Sequence, residues 1–151
     1  MTIRFSFDTN VLIYAIDTSA GHKRLLAREL LNGARLNSVG FIPEQSIVEF
    51  LHVATRKMGV PLAQSVAFIR DLLEIFDLLL ARQDIIMRTL ELLSSHRLSV
   101  WDARMLALCG SHSCAVLFSE DMQDGATYDG VRVVNPFSHA NRAILNEIVN
   151  S

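Results

Sequence analysis

Ile3-Arg4-Phe5-Ser6-Phe7-Asp8-Thr9-Asn10 is the stretch that decides how the rest of this chain is read. Ile3, Phe5 and Phe7 alternate with Arg4 and Ser6, and that period of two predicts a strand with one buried face. A new apolar run, Val11 to Ile16, follows at once and predicts a short helix. Asp8, Thr9 and Asn10 therefore sit where a core strand hands over to a helix. Ligands of α/β folds bind outside the carboxyl ends of the strands, so Asp8 is a candidate site residue. It is equally a candidate helix cap, a role that Asp, Thr and Asn all fill.

The rest of the chain repeats the strand–helix alternation. A helix is predicted over 20–36, ended by Asn37-Ser38, and then a short strand Val39-Gly40-Phe41-Ile42. Pro43 opens a helix over 44–57, and Gly59 and Pro61 break the chain before another over 62–73. Residues 75–80 predict a third strand, 83–95 and 100–109 two helices, and Ala115-Val116-Leu117-Phe118 a central strand buried on both faces. A loop over 125–130, a strand over 131–134 and a helix over 140–149 complete the pattern. Strands separated by helices mean βαβ units, so the expected class is α/β, a three-layer α/β/α sandwich with a mainly parallel central sheet. No repeat or linker interrupts it, and 151 residues form a single domain, 1–151.

Composition excludes several alternatives. Half of the residues are hydrophobic and mean hydropathy is +0.29, yet no run approaches the ~18 apolar residues of a membrane span. The excess predicts a large core plus a surface covered by another chain, and self-association into a homodimer is expected. Asp8 interrupts any leader-like apolar stretch, and Cys109 and Cys114 lack the spacing of a zinc or redox motif. A cytoplasmic setting is the expectation. The net charge of −2 argues against a non-specific nucleic-acid binder, although 12 of the 14 basic residues are Arg, whose planar fork suits phosphate.

Four acids are placed oddly for solvated surface. Asp8 ends the first strand. Glu49 lies within a helix that is apolar almost all round, or else on an exposed stripe with Gln45, His52 and Arg56. Asp102 stands near a helix start, where Ser99-Val100-Trp101-Asp102 also fits a capping box. Asp121 follows the buried strand in Ser119-Glu120-Asp121-Met122-Gln123-Asp124, a string that would also pass as an acidic turn. Two carboxylates about 5 Å apart repel by roughly 3 kcal/mol at an effective dielectric near 20, so four in one pocket require a cation. Oxygen donors without a thiolate pair point to Mg²⁺ or Mn²⁺ rather than zinc.

Phe7-Asp8-Thr9-Asn10-Val11-Leu12, Glu49 in a mid-chain helix, Trp101-Asp102-Ala103 opening a later one, and Ser119 to Asp124 after a buried strand together resemble a PIN-domain ribonuclease. By length and motif order the series is most similar to the VapC-like toxins of toxin–antitoxin pairs. The resemblance covers nearly the whole chain. It implies a phosphodiesterase that cuts RNA with one or two divalent metals, leaving a 5′-phosphate and a 3′-hydroxyl, and that is held by a cognate antitoxin.

Carried over by motif, Asp8, Glu49, Asp102 and Asp121 match the acidic quartet, and Asp124 an additional acid. Thr9 and Ser119 match hydroxyl residues that orient the carboxylates, and Asn10 the polar residue beside them. Glu120 and Asp121 are consecutive and point opposite ways, so only one enters the site, and the motif register selects Asp121. Arg56 and Arg104 are candidate RNA-phosphate contacts, or ordinary surface arginines. Two other readings remain open at this point. One is a PIN fold that binds RNA or protein without cutting. The other is a haloacid-dehalogenase-like phosphohydrolase, which needs a second Asp where this chain has Asn10, and a late Lys that it lacks.

Overall fold

The structure, a computed structural model, describes residues 2–36 and 39–150. The helix stop expected at Asn37-Ser38 lies outside the described residues. Six strands form one sheet: β1 (Phe5–Phe7), β2 (Gly40–Pro43), β3 (Asp77–Leu79), β4 (Val116–Phe118), β5 (Thr127–Tyr128) and β6 (Val131–Val134). Their order is β3-β2-β1-β4-β6-β5, parallel throughout except for β5. Around it lie α1 (Thr9–Ile16), α2 (His22–Ala34), α3 (Glu44–His52), α4 (Leu62–Leu73), α5 (Ile85–Ser95), α6 (Val100–Ser111) and α7 (Arg142–Val149).

The alternation of side chains along each strand builds two separate cores. Phe5, Phe7, Ile42, Val116, Phe118 and Val134 face one way, against apolar residues of α1, α2, α3, α4 and α7. Phe41, Leu79, Leu117, Val131 and Val133 face the other, against α5 and α6. This is the expected three-layer α/β/α sandwich. Phe7 is the hub of the first core, with ring centroids 5.7 Å from Phe5, 5.3 Å from Phe76 and 5.8 Å from Phe118.

Three local expectations need correction. The first strand was expected to bury one face, yet Ser6 is 0% exposed. β1 sits between β2 and β4 with helices on both sides, and Ser6 Oγ lies 3.1 Å from Cys109 Sγ of α6. A small polar residue there imitates the alternation of a solvated face. Second, the expected loop over 125–130 contains β5, which pairs antiparallel with β6. Asp129 and Gly130, at φ of 50° and 77°, form its two-residue turn, for which Asp-Gly is the residue signature. Third, the helix expected over 44–57 stops being α-helical at His52 and continues as a π-helical turn, Val53–Lys57. The Thr55 hydroxyl donates to Leu51 O at 2.6 Å, a back-bond that perturbs regular helix.

β2 approaches its neighbours closely at Gly40. A Cβ there would lie 2.9 Å from Phe5 Cε2 and 3.1 Å from Phe76 Cε1, both buried aromatic rings. Gly40→Ala is expected to cost about 1–3 kcal/mol by overpacking, seen as a lower urea midpoint with unchanged m-value. A midpoint equal to the parent's would show that the rings yield freely.

The sheet order places a switch between β1 and β4. The chain winds from β1 outwards through β2 to β3, then returns to the other side of β1 for β4. Loops leaving β1 and β4 therefore part in opposite directions, and a crevice opens at their carboxyl ends. Among the described residues no helix is long and apolar enough to cross a membrane. Several large apolar side chains are exposed, including Val48, Leu62, Ile86, Met87 and Trp101, consistent with the excess that composition reveals.

Candidate metal centre

Asp8 stands at the crevice as the last residue before α1, and it both caps and faces the site. Its Oδ1 accepts from Thr9 N at 2.7 Å, while Oδ2 accepts from Ser119 Oγ at 2.6 Å. The two readings of Asp8 were never exclusive. Its residue is only 5% exposed, and burial pushes its carboxyl up to about 6. The Ser119 and Thr9 hydrogen bonds oppose that rise, and the charges of Asp121 and Asp102 add to it.

Ser119, the first residue after β4, has every hydrogen-bonding position used. It donates to Asp8 and accepts from Asn10 Nδ2 at 3.2 Å and from Asp121 N at 3.0 Å. Asn10 Nδ2 also donates to Asp121 Oδ2 at 3.2 Å. The first turn of α1 and the loop after β4 are thus joined by side chains on both.

α6 supplies the third carboxylate. Ser99 Oγ accepts from Asp102 N at 3.0 Å, the expected cap. Burial raises the Asp102 carboxyl above its ordinary range, with Asp121 and Glu49 contributing by like charge. One carboxylate oxygen each from Asp8, Asp102 and Asp121 lies within 4.8 Å of the others. Glu49 is outside that threefold group, beside Asp102, with Oε2 accepting from Thr9 Oγ1 at 2.7 Å and Oε1 from Gln45 Nε2 at 2.8 Å.

The remaining candidates fall elsewhere. Asp124 is held by Asn141 Nδ2, at 2.9 and 3.0 Å, and by Asn135 N at 2.9 Å, and it is not among the three converging carboxylates. Glu120 turns away from Asp121 and accepts from Tyr14 OH and from Lys23 Nζ at 2.7 Å. Arg104 is committed within the protein, donating from NH1 to Gln45 Oε1 at 2.7 Å and from NH2 to Glu44 Oε1 at 3.0 Å. Arg56 is exposed on the π-helical turn.

Gln45 is the residue that sequence reasoning underrated. One helical turn before Glu49, it was placed with it on a possible exposed stripe; it is 5% exposed because α6 covers that face. The i, i+4 spacing was the available signal.

Charge and donor chemistry together define what fits. The converging atoms are all hard carboxylate oxygens with no thiolate or imidazole among them. Such a set suits a divalent cation of the Mg²⁺ or Mn²⁺ type, and a cation would relieve the repulsion that accompanies the raised Asp8 and Asp102 carboxyls.

The PIN domain family model matches residues 6–123, which span the stretch from β1 to the loop carrying Asp121. The chain belongs to the PIN domain family. A search of curated proteins finds no match. Among solved structures, this PIN domain is similar to a toxin–antitoxin complex from Klebsiella pneumoniae. Identity there is 26% and the TM-score 0.63, covering 87% of this chain and 97% of that one. It also shares its fold with VapC20 of Mycobacterium tuberculosis, a sarcin–ricin loop cleaving toxin. That likeness has 16% identity and a TM-score of 0.62, over 78% of this chain and 89% of that one.

Proposed function

We propose that this PIN domain is a divalent-metal-dependent endoribonuclease and the toxin of a toxin–antitoxin pair. The observation that carries the reading is the convergence of Asp8, Asp102 and Asp121, from three separate elements, on the crevice between β1 and β4. The similarity to a toxin–antitoxin complex and to an RNA-cleaving toxin supports it. The dehalogenase-like alternative gains nothing from the geometry: Asn10, where its second Asp would stand, bonds Ser119 and Asp121 as an amide donor.

In this reading Asp8, Asp102 and Asp121 hold Mg²⁺ or Mn²⁺, with Glu49 beside them. When bound, the ion supplies an acidified water as nucleophile and neutralises charge on the phosphate. The protein's own contribution is to orient and to dry. Ser119 and Thr9 N fix both Asp8 oxygens, Asn10 fixes Asp121, and Thr9 Oγ1 fixes Glu49. Asp124 is assigned to anchoring the segment before α7. Arg56, exposed and with no acceptor among the described residues, is the better of the two arginine candidates for an RNA phosphate, because NH1 and NH2 of Arg104 already have acceptors.

The direct test is RNA cleavage by the purified chain with Mg²⁺ or Mn²⁺, abolished by EDTA. Binding without chemistry already has a readout. Mn²⁺ at about 100 times its Kd is expected to stabilise the protein by about 2.7 kcal/mol, measured by thermal denaturation against an EDTA control. No metal-dependent shift and no metal-dependent cleavage would leave only the binding-module alternative.

The toxin assignment predicts a partner and a location. A cognate antitoxin placing an Arg among the carboxylates would compete with the ion through charge-assisted pairing. Co-purification with a small neighbour-encoded protein, and inhibition by its peptide, would support this; unchanged cleavage would oppose it. A homodimer built on exposed apolar residues, and a cytoplasmic setting where RNA and reduced thiols coexist, complete the proposal. Cys109 and Cys114 are free thiols.

A further inference from the structure

The two helices that bring Glu49 and Asp102 to the site are joined by the side-chain amide of Gln45. Gln45 Nε2 donates to Glu49 Oε1 at 2.8 Å and to Trp101 O at 3.0 Å, the carbonyl of the residue before Asp102. Both of its N–H bonds are therefore used. Its Oε1 accepts from Arg104 NH1 at 2.7 Å, and the second arm of that guanidinium reaches Glu44 at 3.0 Å. The amide is buried, with both N–H groups and its oxygen hydrogen-bonded, and its environment favours one orientation. Turned over, its NH₂ would face the Arg104 donor and its oxygen would face the Glu49 carboxylate and the Trp101 carbonyl, so three favourable contacts would become repulsive.

We infer that Gln45 is a positioning residue of the metal centre: it locks the Glu49 carboxylate to the start of α6, and Arg104 sets which way the lock is turned. The inference rests on the metal-dependent ribonuclease reading and deepens it. Glu49 is the one acid of the quartet that lies outside the three converging carboxylates, and both of its oxygens are held by protein donors. Its place relative to Asp102 is fixed from the protein side, by Thr9 on one oxygen and Gln45 on the other. Arg104 then serves the site without touching substrate, through an acceptor it shares with nothing else.

Gln45→Met, close in size and without polar hydrogens, removes the lock while filling its space, and Arg104→Met removes only what orients it. Three measurements are made on both variants, on the double variant and on the parent: Mn²⁺ affinity by electron paramagnetic resonance, the kcat and KM of RNA cleavage, and thermal stability. Gln45→Met is expected to weaken Mn²⁺ binding or lower kcat by about 10-fold, the effect of losing an outer-shell partner, with KM for RNA within about threefold. Arg104→Met should do the same more weakly, and the double variant should be no worse than Gln45→Met alone, because the two residues act in series. In the metal-free parent the Gln45 side-chain amide should give a sharp, slowly exchanging nuclear magnetic resonance signal that Arg104→Met abolishes. If Gln45→Met unfolds, that amide signal in Arg104→Met decides the orientation claim, and Arg104→Lys should restore part of what Arg104→Met loses.

The outcomes separate cleanly. A parent that neither binds Mn²⁺ nor cuts RNA removes the ribonuclease reading and this inference with it. A parent that does both, with a Gln45→Met variant that does both equally well, removes this inference alone. Additive losses in the double variant, or an amide signal indifferent to Arg104, would likewise overturn it.

Discussion

Asp8→Asn lowers metal-dependent RNA cleavage by at least about 100-fold and at the same time raises the stability of the metal-free protein by about 2 kcal/mol at about pH 7.5. The loss of activity follows from removing one of three converging carboxylates. The gain in stability follows from the same carboxylate's burial. Its folded-state pKa of about 6 stands above the ordinary 3.8. The folded protein therefore binds that proton more tightly than the unfolded chain. This contribution is intact below about pH 3.8 and is lost as pH rises through about 6, a swing of about 3 kcal/mol. Asparagine cannot ionise and escapes the swing. It gives back about 1 kcal/mol, because the oxygen it keeps can serve Ser119 or Thr9 N but not both, and Ser119 has no acceptor position left for an amide. Urea denaturation in EDTA at about pH 7.5 and about pH 3.5 checks the sign: the variant should be the more stable at the higher pH and no more stable at the lower. Equal cleavage by parent and variant would remove Asp8 from the mechanism.

Phe7→Ala is the largest expected loss of stability, about 3–5 kcal/mol. Phe7 is fully buried and its ring meets those of Phe5, Phe76 and Phe118. Edge and offset contacts of this kind add to simple burial. Domains of this size are stable by only about 5–15 kcal/mol, so roughly a fifth or more of the total is at stake. Because Phe7 directly precedes Asp8, the variant should also bind Mn²⁺ less well. Met87→Ala, at an exposed apolar position, is the control and should shift stability by less than about 0.5 kcal/mol. A Phe7→Ala loss below about 1 kcal/mol would show that the aromatic cluster is not the keystone of that face.

The layer order was legible because apolar runs and helical spacing alternate in the chain, and Val116–Phe118 is as buried on both faces as its composition requires. β1 was misread for a reason that no single strand can reveal. Whether Ser6 faces water or Cys109 depends on a helix about a hundred residues later. The β5–β6 hairpin was missed although Asp129-Gly130 announces it, since a strand of two residues is too short to show a period. At the site, like-charge repulsion made the acids worth grouping, and three of them do converge. Asp124 is held by Asn135 and Asn141, which pattern alone does not connect to it. Gln45 was underrated because a polar residue on a helix reads as solvated until the helix covering it is known.

The strand order also bears on how the protein is made. β1 has β4 as one of its two neighbours, Phe5 pairing with Val116, so that edge of β1 stays open during synthesis until residues 116–118 have been made. Such long-range pairing is slow to form and leaves an apolar strand exposed meanwhile. A nascent chain that stops short of β4 already carries Asp8, Glu49 and Asp102 but not Asp121. The carboxylate cluster therefore assembles only after β4 has been made, and chains that stop before it carry the cost of an open sheet without the cluster.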